Sequence, residues 1–112
     1  MIINLDKLEE KLKNVAAIQA TAGITKGCLR VERDAKILVP VDTGLLRNSI
    51  THNVEGSIGE VGTSIEYAPN VELGLGQRAQ PYLAPALAMN RENIRQDITD
   101  DILSQLRGIK ND

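Results

Sequence analysis

Ser49-Ile50-Thr51-His52-Asn53-Val54-Glu55-Gly56-Ser57-Ile58-Gly59-Glu60-Val61-Gly62-Thr63-Ser64-Ile65 is the stretch on which the fold class turns. Ile50, His52 and Val54 alternate with Ser49, Thr51, Asn53 and Glu55, the period-two pattern of a half-buried strand. Gly56-Ser57 reads as its turn. Val61, Thr63 and Ile65 then line one face of a second strand whose other face carries Glu60, Gly62 and Ser64, so the segment predicts an antiparallel hairpin. Gly59 and Gly62 point to a bulge or a tight contact.

On either side of the hairpin the period is helical. Toward the N-terminus Leu5, Leu8, Leu12 and Val15 fall on one face, with Asn4 as N-cap and Asp6, Lys7, Glu9, Glu10, Lys11 and Lys13 elsewhere. Thr21-Ala22-Gly23 breaks the phase, and a second seam runs through Ile24, Cys28, Val31, Ala35 and Leu38. Two helices, or one bent helix, are expected over residues 5–38, ended by Pro40, which pushes its predecessor out of the helical basin. Beyond the hairpin, Pro69, Gly74, Gly76 and Pro81 punctuate the chain. A sheet region over 48–74, closing in a short turn or strand, and an open, mobile loop over 74–81 are expected there. Pro85 then sits in the first turn of a long amphipathic helix over 83–107. Its stripe is Leu83, Leu87, Ile94, Ile98, Ile102 and Leu106, and Arg91, Glu92, Arg95, Asp97, Asp100, Asp101 and Arg107 form a mixed, solvated surface. The fold class is α+β in one domain, residues 1–112.

Composition narrows the function classes. A 112-residue chain with 42% hydrophobic and 25% charged residues has room for one core. With two tyrosines, no Phe and no Trp, that core is expected to be aliphatic and thin, with part of its apolar surface completed by a neighbouring subunit. A net charge of -2 without a basic cluster argues against a nucleic-acid partner. No apolar run reaches the roughly 18 residues of a membrane span, and Met1-Ile2-Ile3-Asn4-Leu5-Asp6 lacks a basic region followed by an apolar stretch, so a cytoplasmic protein is expected. A single cysteine forms no internal disulfide or zinc cluster.

Several motifs invite a chemical reading. Asp42-Thr43-Gly44 matches the catalytic tripeptide of aspartic proteases, whose retroviral members are dimers of about this length and pair two aspartates to activate a water. Those enzymes are almost wholly β and need a small residue after the glycine, whereas here Leu45 follows and the chain closes on a helix. Asp42 or Thr43 as the cap of a short helical turn through Asn48 is the plainer expectation. Gly74-Leu75-Gly76-Gln77-Arg78-Ala79 matches G-x-G-x-x-A, but Gln80-Pro81 follows where a dinucleotide site needs a helix. His52 lies on the apolar side of a strand without a catalytic partner nearby in sequence, Cys28 lies on a helical seam, and the pairs Glu9-Glu10 and Asp100-Asp101 are helical surface charges. No catalytic, cofactor-binding or metal-ligating residue is assigned, and binding of other protein subunits is expected rather than catalysis.

Three motifs in order carry a resemblance. They are Pro40-Val41-Asp42-Thr43-Gly44-Leu45-Leu46-Arg47-Asn48-Ser49-Ile50, then Tyr67-Ala68 with Val71-Glu72 and Gly74, then Pro81-Tyr82-Leu83-Ala84-Pro85-Ala86-Leu87. Together they resemble the neck or tail-completion proteins of long-tailed bacteriophages and prophages, also called minor tail or head-to-tail joining proteins, over about residues 5–107. The chain differs in Leu73 and Leu75 around Gly74, where that family often has an aromatic before the glycine and Thr after it. The resemblance implies a non-enzymatic virion component without cofactors, made in the host cytoplasm, forming a ring around the DNA channel. Its contacts would be lateral between copies and axial to adaptor, stopper, tail-terminator or tail-tube proteins. It implies structural roles for Asp42, Thr43, Gly44, Tyr67, Ala68, Glu72, Gly74, Pro81 and Pro85. Tyr67, Leu75, Gln77 and Arg78 are the candidate partner-facing residues, Arg78 being the loop's one charge.

Overall fold

A computed structural model of the chain describes residues 5–41 and 44–110. The order is α1 (Leu5–Ala16), α2 (Thr21–Leu38), α3 (Leu45–Ser49), β1 (Thr51–Glu55), β2 (Ile58–Gly62), α4 (Ala68–Leu73) and α5 (Leu83–Lys110), an α+β arrangement of leading helices, an antiparallel hairpin and a long closing helix.

The hairpin pairs Thr51 with Gly62, His52 with Val61 and Val54 with Gly59. Gly56, at φ +57, and Ser57, without a positive φ, make the glycine-first two-residue turn that suits the twist of the strands. Of the two expectations for the glycines, the tight contact holds at Gly59. A Cβ there would lie 2.5 Å from Ile24 Cγ2 and 2.6 Å from Cys28 Sγ, whereas one at Gly62 would meet nothing within 4 Å. The ladder runs residue for residue, without a bulge.

α2 packs against both the hairpin and α5. The helical break falls at Ala17–Ala20 and not at Thr21-Ala22-Gly23, which is the first turn of α2. Gly23 serves approach rather than interruption: an added Cβ would sit 2.6 Å from Asp97 O and 2.8 Å from Ile98 Cα, and one at Gly27 would press on Ile94. α5 supplies the cap that α2 lacks, because an Asp101 carboxylate oxygen accepts the Gly23 N–H at 2.8 Å. At the other end Val39 turns extended before Pro40, and Arg47 Nε donates to the orphaned Lys36 carbonyl. Val39 is buried in place of Leu38, whose expected place on the seam is lost as the helix ends.

One further expectation is corrected. Residues 68–73, read as a turn or strand, form α4, with Pro69 in its first turn and Gly74 closing it at φ +75. Six residues span less than two turns, too few for helical periodicity to show in sequence. The loop from Gly74 to Pro81 is irregular and exposed from Leu75 onward, as expected, with Gln80 N–H donating to Val71 O at 2.8 Å to latch its end onto α4.

The core gathers Val31, Ala35, Val39, Leu46, Ile50, Ala68, Val71, Tyr82 and Ala86. It is not purely aliphatic: Tyr82 is its largest member and fully buried. On α5 the buried positions are Ala86, Asn90 and Asp97, while Leu87, expected on the core stripe, is 51% exposed. Asp97, expected on the solvated face, points into α2. The chain is elongated, 71 × 22 × 19 Å with a radius of gyration of 19.6 Å, against about 13 Å for a compact domain of this length.

Candidate functional site

The three motif segments converge at the end of the molecule where α5 begins. Leu46 and Ile50 come from the first, Ala68 and Val71 from the second, Tyr82 and Ala86 from the third, and all six share the core. Glu72 joins the last two segments: its carboxylate accepts the N–H of Tyr82 at 3.1 Å and of Leu83 at 2.6 Å, at the start of α5. A negative charge there also complements the positive end of the helix dipole. Glu72 is therefore the fastener of α5, which gives a definite form to the structural role expected of it. Glu72→Ala is expected to cost roughly 1–2 kcal/mol, the loss of a charged cap, and Glu72→Gln less; chemical denaturation of the three proteins measures the difference.

Beside this junction Pro40, Gly44, Leu46, Tyr67, Val71, Gln77 and Gln80 line a cleft of about 300 Å³. Gly44, at φ +78, precedes α3 and its carbonyl accepts the Asn48 N–H at 2.9 Å. Asp42 and Thr43, the expected caps of α3, lie outside the described residues. Of the candidate partner-facing side chains, Tyr67 and Gln77 share the cleft, while Leu75 and Arg78 are exposed on the loop beside it. Ala68 is buried, Pro81 is exposed, and Pro85 is half-buried in the first turn of α5. Val41, Leu45, Leu73 and Leu75 add exposed aliphatic surface on the same segments.

A second set of polar residues, unmarked by any motif, ties α2 to α5. Arg30 Nε lies 2.7 Å from Asp97 Oδ2 and its Nη2 3.1 Å from Oδ1, a two-pronged pair with Lys26 Nζ 3.7 Å away. Asn90, buried, donates to Asp34 Oδ2 at 2.7 Å and to Ala86 O at 2.8 Å. Hydrogen bonding from Arg30 holds the Asp97 carboxyl below its usual range despite burial. Asp34 is lowered likewise, first by Arg33 and then by Asn90. Both pKa values are depressed in the folded chain, so their contribution is present above the unfolded carboxylate range and is lost as pH falls through it, below about pH 4. Thermal midpoints across this acid range are expected to fall more steeply for the native chain than for Asp97→Asn, which starts lower at neutral pH.

The remaining singled-out side chains form no reactive group. Burial pushes the Cys28 thiol up, with Glu32 adding to the effect, which keeps it protonated. His52 Nδ1 lies 3.4 Å from Glu32 Oε2 without hydrogen-bond geometry. Among the described residues no three His, Cys, Asp or Glu side chains converge as metal ligands, and no helix is long and apolar enough to cross a membrane. No family model, no curated protein and no solved structure matches the chain.

Proposed function

We propose that this chain is a structural virion protein of a tailed bacteriophage or prophage, acting without catalysis in tail completion and head-to-tail joining at the neck. One observation carries the proposal: the three segments of the resemblance, separated in sequence, pack as one unit around Tyr82, with Glu72 bonded across them. The unit leaves a cleft and exposed aliphatic side chains on its surface, as a subunit that binds other proteins requires. Its neighbours would be adaptor, stopper, tail-terminator or tail-tube proteins axially and further copies laterally, in a ring that assembles from monomers. No specific nucleic-acid contact and no membrane contact belong to the proposal.

The test is complementation of a tailed phage deprived of its own joining protein. Complete particles on expression of this chain, and separate heads and tails with Tyr67→Ala and Arg78→Glu combined, are the expected results. An obligate dimer that cleaves peptides and loses that activity on Asp42→Asn would replace the proposal with a retroviral-type protease. A monomer that binds one host protein without ring formation would replace it with an adaptor.

A further inference from the structure

Two of the apolar surfaces left uncovered among the described residues are of different kinds. The first is a groove of about 460 Å³ between the hairpin and α5, floored by Ile24 and Val31 of α2 and walled by Val61, Leu83, Leu87 and Ile98. Leu83, Leu87, Ile94 and Ile98 of the α5 stripe line this groove; Leu83 and Ile94 also pack on the core, while Leu87 stays half open to solvent. The second is α1. Residues 9–15 are all exposed, Leu12 by 60% and Val15 by 45%, and Leu5 and Leu8 continue the stripe in sequence.

The chain does not fill its own groove. Ala20 is buried at the exit from α1, and Gln105 Nε2 donates to Gln19 O at 2.9 Å, so the connection between α1 and α2 is held against the far part of α5. Within the chain α1 packs lightly, its main contact being with α5.

We propose that α1 of one copy docks the face carrying Leu12 and Val15 into the groove of the next copy. This deepens the assignment as a ring-forming joining subunit and rests on it. The occupant is a second copy of this chain because the chain itself carries both halves of the contact, an amphipathic helix with an open apolar face and an open apolar groove. Charge agrees: Glu9 borders the stripe, and Arg91, one turn beyond Leu87, borders the groove, both exposed. Helix and groove are different surfaces, so the contact is head-to-tail and repeats from copy to copy, closing into a ring when the rotation per step allows.

Cross-linking between distinguishable chains decides it. In a Cys28→Ser background, full chains carrying Val15→Cys are mixed with longer, tagged chains carrying Leu87→Cys and then oxidised. The expected product is the mixed-length disulfide dimer in preference to either homodimer, and its loss when Leu12→Glu is added to the first chain. Leu12 is solvent-exposed within one copy, so that variant keeps its fold, which circular dichroism checks. A chain bearing both cysteines that links only to itself would assign the groove to its own α1 and overturn the proposal, as would the absence of any mixed dimer. Rings that form from the unmodified chain without this cross-link, and persist with Leu12→Glu, would overturn α1 docking while leaving the joining role intact.

Discussion

Tyr82→Ala is expected to lower the unfolding free energy by about 4 kcal/mol, the usual cost of emptying a large aromatic site in a core that cannot collapse around it. Tyr82 is fully buried and is the one aromatic among the aliphatic residues from α2, α3, α4 and α5 that meet there. Its removal would unpack the three motif segments from one another at once. With only about 5–15 kcal/mol to lose in a domain of ordinary stability, the variant should melt far below the native chain. Tyr82→Phe provides the contrast. The Tyr82 hydroxyl is buried without a hydrogen-bond partner among the described residues, so deleting it removes an uncompensated polar group and should stabilise by about 1 kcal/mol. Denaturant titrations of both variants check the pair; a Phe variant that is markedly weaker than the native chain would show that the hydroxyl is bonded.

Gly23→Val is expected to cost about 3 kcal/mol, at the upper end of what overpacking costs, because the clash is with backbone. A Cβ at Gly23 would stand 2.6 Å from Asp97 O and 2.8 Å from Ile98 Cα, and neither atom can swing aside as a side-chain tip would. α2 and α5 would have to separate, stretching the Arg30–Asp97 pair and the Asp101 cap together. Gly108→Ala is the control: nothing lies within 4 Å of its added methyl, and in a helix the change should gain roughly 0.5–1 kcal/mol. Thermal unfolding of the two variants should therefore move in opposite directions. Equal effects would show that helix propensity, not the close approach of α2 and α5, governs both sites.

What the chain declares locally is legible in its letters. Alternation from Ile50 to Val54, the Gly56-Ser57 turn and the long stripe after Pro85 specify a hairpin and a closing helix, since each signal repeats over enough residues to be seen. α4 escaped because six residues carry too little periodicity, and its Pro69 start and Gly74 stop pass equally for loop punctuation. The polar face of α5 is a harder case. Asp97 and Asp101 have the same helical spacing as neighbours left in water, and only the arrival of Gly23 and Arg30 on the facing helix buries or engages them. The reverse holds for Leu87, apolar and in phase, yet open to solvent because no element of its own chain covers that wall of the groove. Glu72 shows the same division at the candidate site. Its motif is visible in the sequence, but its role as the cap of α5 depends on the latch of Gln80 to Val71 folding the loop back. Residue type and spacing determined which segments are helix or strand and which carry the resemblance. Which faces meet, and which stay uncovered, was decided by tertiary packing, because a face acquires its partner from residues distant in the chain and its periodicity does not name them.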